Sequence, residues 1–108
     1  MTPYIIGQSK AIFGTWFYFP MYNVMFDCGE SASYTLGIHT SDIKYIFLSH
    51  FHKDHYIGLI GIGCFLSRVT KKNNKKVKVY YHKDNEYEIK NIKLTLKNLD
   101  IRDVFDFI

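Results

Sequence analysis

The chain has 108 residues, 47% hydrophobic and 18% aromatic, and 14 Lys and Arg against 10 Asp and Glu give a formal net charge of +4. That apolar content favours a folded chain over a disordered one, and the length admits one small domain over residues 1–108. The apolar stretch 56–66 is too short to cross a bilayer, two cysteines are too few for a disulfide framework, and Met1-Thr2-Pro3 opens no secretory signal, so a reducing cytoplasm is the expected setting.

In chain order, segments 4–6, 12–19 and 22–26 read as three strands, separated by Gly7 and by Pro20-Met21, so a meander opens the fold. Segment 30–38 reads as a short helix, and Ser41-Asp42 punctuates it. Segment 43–49 (IKYIFLS) is β-branched and aromatic, as befits a buried strand. Segment 56–66 is apolar nearly all round and predicts a helix packed on a sheet, its glycines allowing close backbone approach. A polar, basic connector, 69–76 (VTKKNNKK), follows. Segments 77–81, 87–89 and 92–96 then read as successive strands, and 99–108 as a strand or a frayed helix. Cys28 and Cys64 read as buried free thiols, and His39 and His82 as exposed polar residues.

Between the strand at 43–49 and the helix at 56–66 lies His50-Phe51-His52-Lys53-Asp54-His55. Three imidazoles and a carboxylate within six residues form a metal-ligand spacing that core packing seldom produces. A backbone that stays extended for two residues past the strand points side chains i and i+2 the same way, so His50 and His52 can grip one ion. Asp54 and His55 face elsewhere after the turn and suit a second ion nearby. Imidazole and carboxylate are ordinary Zn²⁺ ligands. A helix would turn His52 away from His50 and Asp54, so the run is read as a loop.

Three stretches, Phe26-Asp27-Cys28-Gly29-Glu30, 46–55 and Ile57-Gly58-Leu59 leading to 64–68, resemble the metallo-β-lactamase superfamily, whose signature is His-x-His-x-Asp-His. Within it the likeness is to ribonuclease Z, the tRNA 3′-end nuclease. Segment 7–16 looks more like the related cyclic-nucleotide phosphodiesterases, including those that phages use against immune signals. The resemblance implies an α/β fold, the αββα metallo-β-lactamase sandwich, present here as one partial half with a mixed sheet and flanking helices. It also implies two-zinc hydrolysis of a phosphodiester: His50 and His52 on the first Zn²⁺, Asp54 and His55 on the second. Asp54 is then the catalytic group that orients the nucleophile or takes its proton, and Asp27 orients the ligand loop. Lys53 and Ser31-Ala32 depart from the nuclease pattern of Gly and Gly-Thr.

The family's later half supplies a third His, a bridging Asp and a last His, and this chain has no counterpart of them. The expectation is therefore an amino-terminal half, completed by a second chain or as a homo-oligomer, with RNA or a cyclic nucleotide as substrate and no membrane partner. A truncated zinc-holding or dimerising module is the alternative. A thioesterase or β-lactamase of the same fold is disfavoured by Asp27-Cys28-Gly29-Glu30. Arg68, Lys71, Lys72, Lys75 and Lys76, with Lys78 and Lys83 beyond, suit phosphate contacts, although a solvated loop explains the cluster as well.

Overall fold

In the computed structural model, residues 5–10, 14–30, 32–49, 58–69, 76–101 and 103–108 are described. Near the amino end β1 (Ile6–Lys10), β2 (Gly14–Phe19) and β3 (Val24–Phe26) form an antiparallel meander; β1 runs through Gly7, where a break was expected, because its polar residues pair along β2. Pro20 starts the turn between β2 and β3. There the Tyr22 N–H donates to Phe19 O at 3.1 Å, and Asn23 takes φ 56°, a conformation that Asn tolerates better than most residues.

From β3 onward the sheet is parallel. β4 (Tyr45–Phe47), β5 (Val77–Tyr80) and β6 (Phe105–Phe107) follow in the order β1-β2-β3-β4-β5-β6. Parallel neighbours need crossovers, and each carries a helix. These are α1 (Ala32–Leu36), which runs on into a 3₁₀ turn at Gly37–Asp42, then α2 (Gly58–Val69) and α3 (Glu86–Asn98).

The expected strands at 87–89 and 92–96 are corrected by α3. Tyr87 with Ile89, and Ile92 with Leu94 and Leu96, alternate as two short strands would, but Ile89, Ile92 and Leu96 also fall three and four residues apart, on one helical stripe. That stripe is what the fold buries, while Tyr87 is 74% and Leu94 54% exposed. His82 helps to open this segment, its Nδ1 accepting from the Asp84 N–H at 3.1 Å, and Glu86 and Glu88 place negative charge in the first turn of α3. Ile89→Ala is accordingly expected to cost about 2–4 kcal/mol in urea unfolding. Leu94→Ala should stay within about 0.5 kcal/mol of the parent. Equal effects at the two positions would contradict the helical register. The open reading of 99–108 resolves to a strand, β6.

Alternation along the strands divides the sheet into two unlike faces. Trp16, Tyr18, Met25, Ile46, Val77, Val79 and Phe105 point to the helices and join Leu59, Ile62, Leu66, Ile89 and Ile92 in one core. A side chain at Gly63 would press on Phe105, Leu96 and Ile101, so glycine lets α2 lie close to the carboxyl end of the chain. Contrary to expectation, Cys64 is exposed. Helix α2 buries Gly58, Leu59, Ile62, Gly63 and Leu66, and that stripe turns position 64 outward. Cys28 is fully buried, and burial, followed by the neighbouring Asp27 charge, pushes its thiol far above the ordinary cysteine range. It stays protonated and unreactive.

The opposite face carries aromatic rings from four successive strands. Phe19 meets Phe26 edge-on at 5.4 Å, Phe26 stacks on Phe47 at 5.5 Å, and Phe47 stacks on Tyr80 at 4.8 Å. Phe26 remains 45% exposed and Tyr45 and Phe47 each 37%.

Candidate functional site

Because β3 and β4 run parallel with Phe26 opposite Phe47, the residues that follow them leave the sheet side by side. Ligand sites of open parallel sheets gather at such carboxyl ends. Asp27 turns out of β3 with φ 59°, in the left-handed region that Asp enters more readily than most residues. Its N–H donates to Phe47 O at 2.8 Å. Its carboxylate Oδ1 accepts the Ser49 N–H at 2.8 Å, and the Ser49 hydroxyl lies 2.9 Å from Oδ1 and 2.7 Å from Oδ2. Asp27 is only 7% exposed, so these donors compensate a carboxylate largely withdrawn from water.

The same corner holds a second point. The Gly58 N–H, at the start of α2, donates to Cys28 O at 2.8 Å. A Cβ at position 58 would collide with the Gly29 carbonyl, so this close approach requires glycine. Residues 27–29 therefore contact both Ser49 and Gly58, which flank segment 50–57 in the sequence.

His50, His52, Asp54 and His55, and likewise Lys71, Lys72 and Lys75, lie outside the described residues. Among the described residues no group of three or more His, Cys, Asp or Glu is placed to hold a metal ion. Asp27 contacts the residue that immediately precedes His50. Arg68 is exposed in the last turn of α2, where its charge complements the helix dipole. Lys76 is exposed, and its Nζ sits 2.8 Å from Asp103 Oδ2; that hydrogen bond and charge hold its ammonium above the ordinary lysine range. His39 and His82 are both exposed, each with a carboxylate beside Nδ1: Asp42 at 3.5 Å and Asp84 at 3.3 Å. The residue that sequence reasoning passed over is Ser49. Its partner lies 22 positions away, and only the β3–β4 pairing brings the two together.

Comparison with known proteins places this geometry. A family model described as "Anti-Pycsar protein Apyc1" matches residues 16–105. The chain is 30% identical over 87 residues to the ribonuclease Z of Saccharolobus solfataricus, covering 72% of this chain and 30% of that protein. It is 47% identical over 49 residues to the ribonuclease Z of Macrococcus caseolyticus, covering 40% of this chain and 16% of that protein. Among solved structures, the short form of human tRNase Z superposes with a TM-score of 0.77 at 22% identity, over 99% of this chain and 44% of that one. The metallo-β-lactamase fold protein YhfI of Bacillus subtilis superposes with a TM-score of 0.60 at 21% identity, over 94% and 40%. The fold is thus the mixed α/β arrangement of the metallo-β-lactamase proteins, and the chain spans less than half the length of these relatives.

Proposed function

This chain belongs to the Anti-Pycsar protein Apyc1 family, and on that premise we propose that it is the metal-holding portion of a phosphodiester hydrolase acting on cyclic nucleotides. The observation that carries the reading is the family match over 16–105, which runs through the Asp27 corner and the whole of the motif at 50–55. His50, His52 and His55 offer imidazole nitrogens and Asp54 a carboxylate, a donor set that fits Zn²⁺. The buried Asp27 carboxylate holds the residue that leads into that set, as ligand segments generally require. Zinc, when bound, supplies a Lewis acid for the phosphoryl oxygens and lowers the pKa of an attacking water. Asp54 binds metal and positions or deprotonates the nucleophile, while Asp27 orients the segment. Lys76 precedes the amino end of β5 and is paired with Asp103, and Arg68 closes α2 at the end remote from Gly58, so neither is assigned a phosphate at the Asp27 corner.

A second substrate reading, an RNA 3′ end, is favoured by the 30% identity to ribonuclease Z. One assay separates the two. The chain, alone and with the later half of a family member supplied in trans, is given cyclic mononucleotides and a 3′-extended tRNA, with and without chelator. Chelator-sensitive opening of the cyclic nucleotides is expected in the completed protein. Cleavage of the tRNA alone would transfer the assignment to RNA, and hydrolysis that resists chelator would remove the metal-dependent reading.

The exposed aromatic row supports a partner on the open sheet face, either a second copy or a chain that completes the sandwich. Light scattering is expected to give a mass above that of the monomer, and Phe26→Lys with Phe47→Lys should restore the monomer. A monodisperse parent monomer would contradict this. Among the described residues no helix is long and apolar enough to cross a membrane. The free thiols Cys28 and Cys64 support a reducing compartment, the cytoplasm.

A further inference from the structure

From the carboxyl end of β5 we infer that His82 is a substrate-contacting residue, its Nε2–H donating to a phosphodiester oxygen; this rests on the hydrolase reading proposed above. The placement follows from the ladder. β4 and β5 pair Tyr45 with Lys78 and Phe47 with Tyr80, and the Leu48 N–H carries the pairing one step further, onto Tyr80 O at 2.9 Å. Position 82 thus lies two residues beyond Tyr80, at the same end of the sheet as the Asp27 corner, where open parallel sheets hold their ligands. Alternation settles the side. Lys78 is exposed and Tyr80 stacks on Phe47 on the open face, whereas Tyr81 packs against the core and donates its hydroxyl to Glu86 at 3.1 Å. The backbone at His82 is still extended, with φ −78° and ψ 138°, so the imidazole returns to the side of Tyr80.

The hydrogen bonding of the ring decides what it offers. Nδ1 accepts the Asp84 N–H at 3.1 Å, so the neutral imidazole carries its proton on Nε2. In the protonated ring Nδ1–H has the Asp84 carboxylate to donate to, Oδ2 at 3.3 Å, and Nε2 is again a donor. Nε2 is therefore a hydrogen-bond donor in both charge states, on a largely exposed side chain, and among the described residues nothing accepts from it. Capping alone does not call for imidazole, since Ser, Thr, Asp and Asn are the favoured residues at that position. Phosphodiester oxygens are charged and only accept, which makes them the complement of such a donor. The carboxylates that follow are each engaged, Asp84 beside Nδ1 and Glu86 on the Tyr81 hydroxyl, and Lys83 adds an exposed ammonium next in the chain.

The test pairs His82→Asn, which keeps a side-chain acceptor for the Asp84 N–H and removes the Nε2 donor, with His82→Ala, which removes both. On the 108-residue chain with ¹⁵N-labelled imidazoles, long-range ¹H–¹⁵N spectra read the tautomer of His82, identified by the resonance that His82→Asn lacks, and Nε2–H is expected. In the completed protein described above, KM and kcat for 3′,5′-cyclic AMP and for a 3′-extended tRNA are measured with metal content on the same samples. The expected result is a KM about tenfold or more higher in both variants on the substrate that the parent cleaves, the effect of losing a hydrogen bond to a charged group, with kcat changed far less. Metal content should stay parental in both, and the urea midpoint should stay parental in His82→Asn. A parental KM in His82→Asn would overturn the inference and leave His82 a cap. So would an Nδ1–H tautomer, or a loss of metal that accounts for the loss of activity. A completed parent that cleaves neither substrate would instead bring down the hydrolase reading, and this inference with it.

Discussion

Asp27→Ala is expected to lower the stability of the metal-free chain by about 2–4 kcal/mol, a large share of the total for a domain of this size. The substitution removes the acceptor of two hydrogen bonds to a charged group at once. It also leaves alanine at φ 59°, where a side chain without a local hydrogen bond costs about 1 kcal/mol or more. Ser49 is exposed, so water recovers part of the loss at its hydroxyl, which is why the sum of two full charged bonds is not expected. Asp27→Asn keeps the shape and the tolerance of the left-handed region but surrenders the charge, and should fall between the two. Urea midpoints with chelator present measure this directly. An Ala variant within about 0.5 kcal/mol of the parent would mean that the corner contributes no more than an ordinary surface position.

How much of this was legible in the sequence depends on the range of the signal. The strands at β2, β4 and β5 were legible because β-branched and aromatic residues bounded by turns specify extended chain locally. Helix α3 was not, because Tyr87 with Ile89, and Ile92 with Leu94 and Leu96, each fit a period of two while Ile89, Ile92 and Leu96 fit 3.6, and only burial in the common core decides between them. Cys64 was misjudged for a related reason. A segment apolar nearly all round does not announce which stripe faces the core, and the burial of Leu59, Ile62 and Leu66 turned the cysteine out. Asp27 drew notice through a family likeness, but Ser49 did not. The register Phe26 to Phe47 is a long-range fact, and nothing within either segment encodes it alone.

The fold and the proposed chemistry meet at the end of β4. Parallel pairing of β3 with β4 and of β4 with β5 makes the strand that precedes the motif the central one of three, and its backbone is held from both sides, Asp27 N–H to Phe47 O and Leu48 N–H to Tyr80 O at 2.9 Å. A central strand has little freedom to shift in register, because each slip would break two ladders. The end of β4 at Leu48 and Ser49 is thereby a fixed point of the fold, the kind of rigid element on which functional sites are built most precisely.

Asp54→Ala is expected to lower metal-dependent phosphodiester hydrolysis by the completed protein about 10²–10⁴-fold, the range associated with a positioned acid–base group. Under the proposed reading one carboxylate carries two tasks, contributing charge to the metal site and aligning or deprotonating the nucleophile, so no neighbour replaces it. Lys53 has neither a lone pair free at neutral pH nor a carboxylate's charge, and Lys53→Gly should change activity by far less. Metal content measured on the same samples separates the two tasks. If Asp54→Ala loses activity and metal together, ligation dominates; if it keeps its metal and still loses activity, the proton-handling role dominates. Full activity in Asp54→Ala, with chelator still inhibiting, would assign the metal to other residues and remove Asp54 from the proposed site.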